Sequence, residues 1–553
     1  MGRVYKPSNV YIALVILRTC FALYGTGFIH PDEYFQNGEV TAGPTLGVHS
    51  HLTWEWLPVF PCRSIVPVWL TTGVPFILLK TLLPDRDLAP RVIFTAERLS
   101  FLGSSFLLDF ATYHLVHDSA RMPALLLLGS SYVLHTFQVR AFSNSIEAVL
   151  VASSLWMLKA LLVGESLKSY SVHPALILSA ISSVAVLGLF TRITFGAFFL
   201  PQALEVLRWS LRESPNSFRT LLRLISPAIV AALATGVCIA YADTAYFQNQ
   251  LRPSHLEFTP LNFLQYNMLP SNLAQHGLHP RWLHILVNLP MIATPALLAY
   301  TFVAEWDLYS PRIREKTLED DKRKLGAVER IQTVLNRLRW SAVLLLSIQP
   351  HQEPRFLTPL IAPMIAFVVN NGRILRAGRF FWVVWIVANI TLAVLFGVLH
   401  QGGVVPSLFR VHDIIYDPVN GLPKQNFHVV YWKTYMPPRH LLAVSIKDVI
   451  HNTVTVSDFS GASSPRVLRG LQLHPIDTTP LGTILVAPFH AVRLLGEANS
   501  RCVVERSRVY PHLSLDHIGE TMEVGWKDGF SLGIFDIDRD CLTPQNIAST
   551  PAR

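Results

Sequence analysis

Over most of its first 400 residues the chain keeps returning to apolar runs close to the ~20 residues that an α-helix needs to cross a bilayer. No other feature constrains the fold so strongly, because in lipid only helices and closed barrels satisfy every backbone hydrogen bond. The balance of residues agrees: 51% hydrophobic, 15% charged and a mean hydropathy of +0.36, where a soluble domain carries about 25% charge. Spans are expected near 10–29, 91–117, 122–138, 145–163, 174–191, 193–208, 223–242, 283–303, 338–349, 355–371 and 380–400. That makes a mainly α, polytopic membrane protein with about eleven transmembrane helices. The run 65–83 is also apolar, but Pro67, Pro75 and Pro84 are expected to break it into an interfacial or re-entrant piece. Residues 401–553 hold no convincing span. Alternating runs such as Phe427–Tyr431 and Gly482–Val486 predict a smaller mixed or β-rich domain there, ending loosely over Thr543–Arg553. The division expected is therefore 1–400 and 401–553.

Charge orients the chain. Its net charge of +9 is not a nucleic-acid footprint, since much of it falls in short loops between spans. Arg3 and Lys6 precede the first run, which Arg18 interrupts, and no small-residue cleavage site follows, so an uncleaved first span with a cytosolic tail is expected. Arg18 should snorkel or pair with Glu97 or Asp109. With the N-terminus inside, the basic loops 209–222, 304–337 (Arg312, Arg314, Lys316 and the run Glu315–Lys324 among them) and 372–379 are cytosolic. The sparsely basic loops 30–90, with Arg63, Lys80 and Arg86, and 243–282, with Arg252 and Arg281, are then outside. Polar segments distant in sequence thus share the non-cytosolic face, which suggests one extracytosolic cavity. Cys20, Cys62, Cys238, Cys502 and Cys541 show no zinc-ligand spacing, and whether Cys502 pairs with Cys541 is left open. Asn389-Ile390-Thr391 is a glycosylation sequon inside an expected span, hence expected to be unmodified.

Three polar clusters carry the chemistry. His30-Pro31-Asp32-Glu33-Tyr34-Phe35-Gln36 follows the first span; a carboxylate pair there is costly unless it faces a polar cavity. Its plainer reading is a helix stop with an N-cap aspartate. Arg140-Ala141-Phe142-Ser143-Asn144-Ser145-Ile146-Glu147 opens a later span and is equally a helix cap. His351-Gln352-Glu353-Pro354-Arg355-Phe356-Leu357 sits between two apolar runs, where Glu353 and Arg355 could simply neutralise each other.

In this order, HPDEYFQ, the 140–147 segment and HQEPRFL resemble the dolichol-phosphate-mannose-dependent mannosyltransferases of glycosyltransferase family 22. The likeness is strongest to the branch that extends the GPI anchor precursor. Thr53-Trp54-Glu55-Trp56, Pro61-Cys62-Arg63-Ser64 and His400-Gln401-Gly402-Gly403-Val404-Val405-Pro406 add to it. It covers residues 1 to about 440; relatives that act on other acceptors tend to have HKE where this chain has His351-Gln352-Glu353. The resemblance implies GT-C architecture, an endoplasmic-reticulum membrane location with a lumenal site, dolichyl phosphate mannose as donor, and a GPI glycolipid with three mannoses as acceptor. No metal or other cofactor is expected. The α-1,2 product would arise by one inverting displacement, with Asp32 as general base and Glu33 as neighbour or alternate. Arg192, Arg355 and His351 would hold the donor phosphate. His30, Arg140, Asn144, Glu353 and Trp54 would contact substrate, although interface anchoring is the plainer and favoured reading of Trp54, Trp56 and Trp69. Competing readings are a polytopic lipid transporter, for which no internal repeat speaks, and a related transferase adding the third GPI mannose or acting on N-glycan precursors.

Overall fold

The structure, a computed structural model, describes residues 8–83, 88–167, 171–214, 217–248, 256–274, 277–310, 322–416, 422–472 and 481–542. Arg3, Lys6, Arg86, Arg252, Arg312, Arg314, Lys316, most of the run Glu315–Lys324 and the end Thr543–Arg553 lie outside the described residues. Two compact units emerge. The first comprises Met1–Leu23, Leu52–Thr71 and Arg98–Thr391; the second comprises Tyr24–His51, Thr72–Glu97 and Leu392–Arg553.

Helix dominates. Among the described residues six helices are long and apolar enough to cross a membrane: Ile65–Leu82, Ser143–Ser166, Pro174–Thr191, Phe218–Gln248, His284–Tyr309 and Arg379–Leu399. Other runs expected to span look different for physical reasons. Asn9–Tyr24 stops after 16 residues, where glycines 25 and 27 weaken helix. Pro90–Leu115 has 26 residues but carries Glu97, Arg98 and Asp109. Ile361–Asn371 has 11 residues and is buried along nearly its whole length, so its apolar character serves the protein interior. The prolines do not break 65–82 as expected. Pro67 lies in the first turn behind the Ser64 cap, where no intrahelical donor is needed, and Pro75 follows a π turn at Trp69–Gly73 that absorbs its missing N–H.

Within the first unit, Arg18 finds Asp109 and not Glu97. Its guanidinium donates to Asp109 at 2.9 and 3.2 Å and to Ser105 at 3.0 Å, while Tyr11 donates to the same carboxylate at 2.7 Å. The sequon asparagine is buried and engaged: Asn389 Oδ1 accepts the Tyr132 N–H at 2.7 Å, and its amide donates to the Trp385 carbonyl at 2.8 Å. The division within 174–208 falls at Arg192–Thr194, between Pro174–Thr191 and Phe195–Glu213. Gly188 permits this tight reversal, since a Cβ there would lie 2.6 Å from the Phe195 ring.

The second unit contains a five-stranded sheet, with β1 Asn426–Trp432, β2 Val454–Phe459, β3 Leu481–Pro488, β4 Val503–Val509 and β5 Leu532–Ile537. The order is β2-β1-β3-β5-β4; β1 runs parallel to β2 and β3, and β5 antiparallel to β3 and β4. Side chains alternate between two apolar layers. Val429, Tyr431, Ile484 and Val486 pack with helix Val404–Ile415, while Val430, Trp432, Leu485 and Phe535 pack with Val467, Leu468 and Leu471. The mixed α/β character expected of the tail is thus a helix-covered sheet with both parallel and antiparallel pairings. Cys502 and Cys541 form a disulfide.

Candidate active site

The HPDE segment belongs to the second unit. Phe28 N–H donates to the His400 carbonyl at 2.8 Å and Gly27 N–H to that of Gly397 at 3.0 Å. A Cβ on Gly27 would run into the Phe396 carbonyl and come within 2.7 Å of Gly397 C. The HQGG motif is the other half of this junction. Gln401 is left-handed (φ 50°), and His400 Nε2 lies 3.1 Å from the Tyr435 hydroxyl. A Cβ on Gly402 would strike the Val398 carbonyl and approach that of Pro511 to 2.8 Å. The two glycines are required by backbone packing.

After this junction the chain makes one helical turn, Asp32–Phe35, capped by Pro31 without a side-chain bond. Asp32 is therefore not the N-cap. Its Oδ2 accepts from Gln36 Nε2 at 2.5 Å, its N–H donates to His30 Nδ1 at 3.2 Å, and that nitrogen lies 3.3 Å from Asp32 Oδ1. The two acids differ sharply in access: the Asp32 side chain keeps 26% of its surface exposed, His30 keeps 35%, and Glu33 keeps none. Glu33 turns inward and accepts the Ile29 N–H at 3.4 Å. Phe28 and Tyr34 pack edge to face beneath the turn, 5.0 Å apart. Of the two acids, only Asp32 is open to a molecule outside the turn.

In the first unit three of the predicted segments meet. Arg192, extended at the end of Pro174–Thr191, donates to Ser143 at 2.9 Å and Thr194 at 3.2 Å and pairs with Glu147 at 3.2 Å. Glu147 accepts from the Thr194 hydroxyl at 2.7 Å and from Asn144 Nδ2 at 3.5 Å. Arg355 pairs with Glu353 through two N–H groups, one of them at 3.0 Å, and His351 Nε2 meets the same carboxylate at 2.8 Å. Both guanidinium groups lie over the Phe356 ring, at 5.1 Å for Arg192 and 5.4 Å for Arg355, with Phe142 5.8 Å from Arg355. Burial works against charge on His351, but the bond to and the charge of Glu353 prevail and hold the imidazole above the ordinary histidine value. Each candidate phosphate-binding arginine thus has a carboxylate beside it, and Glu353 and Arg355 do neutralise each other. Gln352 is a structural linker, accepting the His284 N–H at 2.8 Å and donating to the Arg281 carbonyl at 3.2 Å. Arg140 and Asn144 are buried.

Trp54 stacks on Tyr266, centroids 4.1 Å apart, so that face of its ring is occupied by protein. Trp56 is buried. Around them Arg63 donates twice to Glu55, at 2.8 and 3.0 Å, and Asp243 accepts from Ser64, Ile65 N–H and Thr259 at 2.9, 2.9 and 3.0 Å. Sequence reasoning missed Asp243, whose signal is a lone acid in the apolar run 239–247. Among the described residues, no three His, Cys, Asp or Glu side chains are grouped to hold a metal ion.

Comparison with known proteins decides the family: residues 9–443 match the Alg9-like mannosyltransferase family. The chain belongs to that family. It is 35% identical over 487 residues to "GPI mannosyltransferase 4" of Aspergillus oryzae, covering 84% of this chain and 82% of that one. It is 30% identical over 557 residues to human "GPI alpha-1,2-mannosyltransferase 4", with 95% and 93% covered. The resemblance drawn from the HPDE and HQEPRFL motifs is met, and the chain is a mannosyltransferase. Among solved structures, ArnT from Cupriavidus metallidurans aligns over 97% of this chain and 99% of its own, with 10% identity and a TM-score of 0.49.

Proposed function

We propose that this mannosyltransferase moves mannose from dolichyl phosphate mannose to the third mannose of a GPI precursor, forming an α-1,2 linkage with inversion in the lumen of the endoplasmic reticulum. The observation that carries the reading is likeness to GPI mannosyltransferase 4 proteins over most of both chains, at 30–35% identity in the fungal and human relatives. In the reaction the acceptor hydroxyl loses its proton to the Asp32 carboxylate while its oxygen bonds to C1 of the donor mannose. The bond from C1 to the phosphate oxygen breaks on the opposite face, and dolichyl phosphate leaves with the electron pair. That leaving group has a second pKa of about 6 and needs cations more than a proton donor.

The partial exposure of Asp32 and the enclosure of Glu33 support Asp32 as base. Arg192, Arg355 and His351 are the cations of this reading: guanidinium groups match phosphate oxygens bidentately, and a dianionic phosphate can compete with the single carboxylates now beside them. Glu353 orients Arg355 and His351, and His30 lies beside the base. Arg140, Asn144 and Trp54 remain acceptor-contact candidates, Trp54 by its edge, since one face is stacked. This reading assigns no step to a metal. The test is transfer by purified full-length protein from dolichyl phosphate mannose to a synthetic three-mannose GPI acceptor. A four-mannose product with an α-1,2 linkage is expected. Transfer only to a two-mannose acceptor or to lipid-linked N-glycan precursors would overturn the assignment.

A further inference from the structure

Two carboxylates and an imidazole are buried together inside the second unit. Glu39 lies on helix Gly38–Leu46, Glu97 on helix Pro90–Leu115, and His440 in the turn Arg439–Leu442. None is more than 1% exposed. His440 Nδ1 is 3.1 Å from Glu39 Oε1 and Nε2 is 3.3 Å from Glu97 Oε2. Glu39 also accepts two backbone N–H groups, from His440 at 3.0 Å and from His51 at 2.6 Å. A neutral imidazole has one N–H and one lone pair, so it would turn the lone pair toward one of two carboxylates. An imidazolium donates to both.

Burial alone would strip the proton from His440, but Glu39 and Glu97 outweigh it and hold the group up to about 9. The neighbouring imidazoles shift the other way. His49 and His51 are lowered by burial and then by the Arg439 cation, with Glu39 opposing at both and Asp458 opposing at His51.

The cluster lies directly behind the HPDE turn. Gln36, which donates to Asp32, is followed by Asn37 and then by Gly38. A Cβ on Gly38 would run into the Glu97 carboxylate and stand 2.5 Å from His440 Nε2, so the backbone is seated on the ion cluster itself. The Tyr34 ring lies 6.1 Å from the imidazole and is fully buried. We propose that the His440 imidazolium, bridging Glu39 and Glu97, is a positioning residue for mannose transfer: it pins the start of helix Gly38–Leu46 and so holds the turn that presents Asp32. This rests on the reading of Asp32 as proton acceptor.

The sign of the pH effect follows. A folded-state value raised from 6.5 to about 9 gives support that is fully present below 6.5 and lost as pH rises through about 9. The experiment follows hydrogen exchange of segments 30–46 and 481–537 in the purified full-length protein, corrected for intrinsic rates, from roughly pH 6 to 10, with mannose transfer assayed on the same samples. In the unsubstituted protein, protection of 30–46 should fall near pH 9 while the sheet stays protected. His440→Gln should lose about tenfold or more of that protection at every pH and about tenfold or more in kcat, with both KM values within about threefold. Glu97→Gln, nearly isosteric, should stay protected at neutral pH and lose protection at a lower pH than the unsubstituted protein. Unchanged exchange in His440→Gln, or equal loss in both segments, would overturn the proposal. If His440→Gln does not fold, Glu97→Gln decides, and no downward move in its pH of opening would overturn it. Exchange is read without substrate, so a protein that opens as described yet transfers no mannose would fault the functional reading and not the cluster.

Discussion

Replacing Arg355 by Ala separates donor from acceptor most sharply. The side chain is 5% exposed, donates twice to Glu353, and lies over Phe142 and Phe356. Its removal acts in two ways. In the free protein Glu353 keeps His351 as partner at 2.8 Å and remains 15% exposed, so the cost should fall at or below the low end of the ~3–5 kcal/mol for breaking a buried pair. During reaction, one charge-assisted hydrogen bond to the departing phosphate disappears, about 1.5–3 kcal/mol, or about 10- to 150-fold in rate. The assay is transfer of labelled mannose with donor and acceptor varied separately. Arg355→Ala should lower kcat and raise donor KM, with acceptor KM within about twofold. Arg355→Lys should recover part of the rate, because it keeps charge and loses the bidentate fork. A defect confined to acceptor KM would refute the assignment of Arg355 to the donor phosphate.

Two stability predictions follow from buried contacts elsewhere. Asp109→Asn should destabilise the protein by about 3–5 kcal/mol by leaving Arg18 as an uncompensated buried cation. Combining Asp109→Leu with Arg18→Met should recover much of that, as thermal unfolding in detergent would show; a double variant no more stable than the single would contradict it. Gly402→Ala should cost about 1–3 kcal/mol or more, because its methyl would strike the Val398 and Pro511 carbonyls, both fixed backbone. Undiminished thermal stability in that variant would refute the close packing of the HQGG junction.

What the sequence disclosed depended on how local each signal was. Apolar run length and low charge marked the polytopic class, and strand alternation marked the tail as mixed, because both are periodic signals within one segment. Span counting is weakest at an apolar helix such as Ile361–Asn371, which is buried along nearly its whole length, since hydropathy cannot tell lipid from protein. The proline rule misjudged 65–82 because Pro67 falls where its missing N–H costs nothing and a π turn absorbs Pro75. Arg18 was expected to find an acid, and Asp109 is the one it meets. Glu97, the other candidate, is joined to His440, 343 positions away, a distance that leaves no motif to read. Likewise the residue names in HPDE present two equal acids; only the turn beginning at Pro31 shows that one faces outward and the other is enclosed.

Mannose transfer as proposed turns on a single proton acceptor. Its most direct test is the turnover of Asp32→Asn beside Glu33→Gln in purified enzyme, with dolichyl phosphate mannose and a three-mannose GPI acceptor. Loss of a general base should lower kcat of Asp32→Asn by about 10²- to 10⁴-fold in a folded, membrane-inserted protein. Glu33→Gln should lose stability while keeping turnover per folded molecule. Wild-type turnover by Asp32→Asn would remove Asp32 from the role of base.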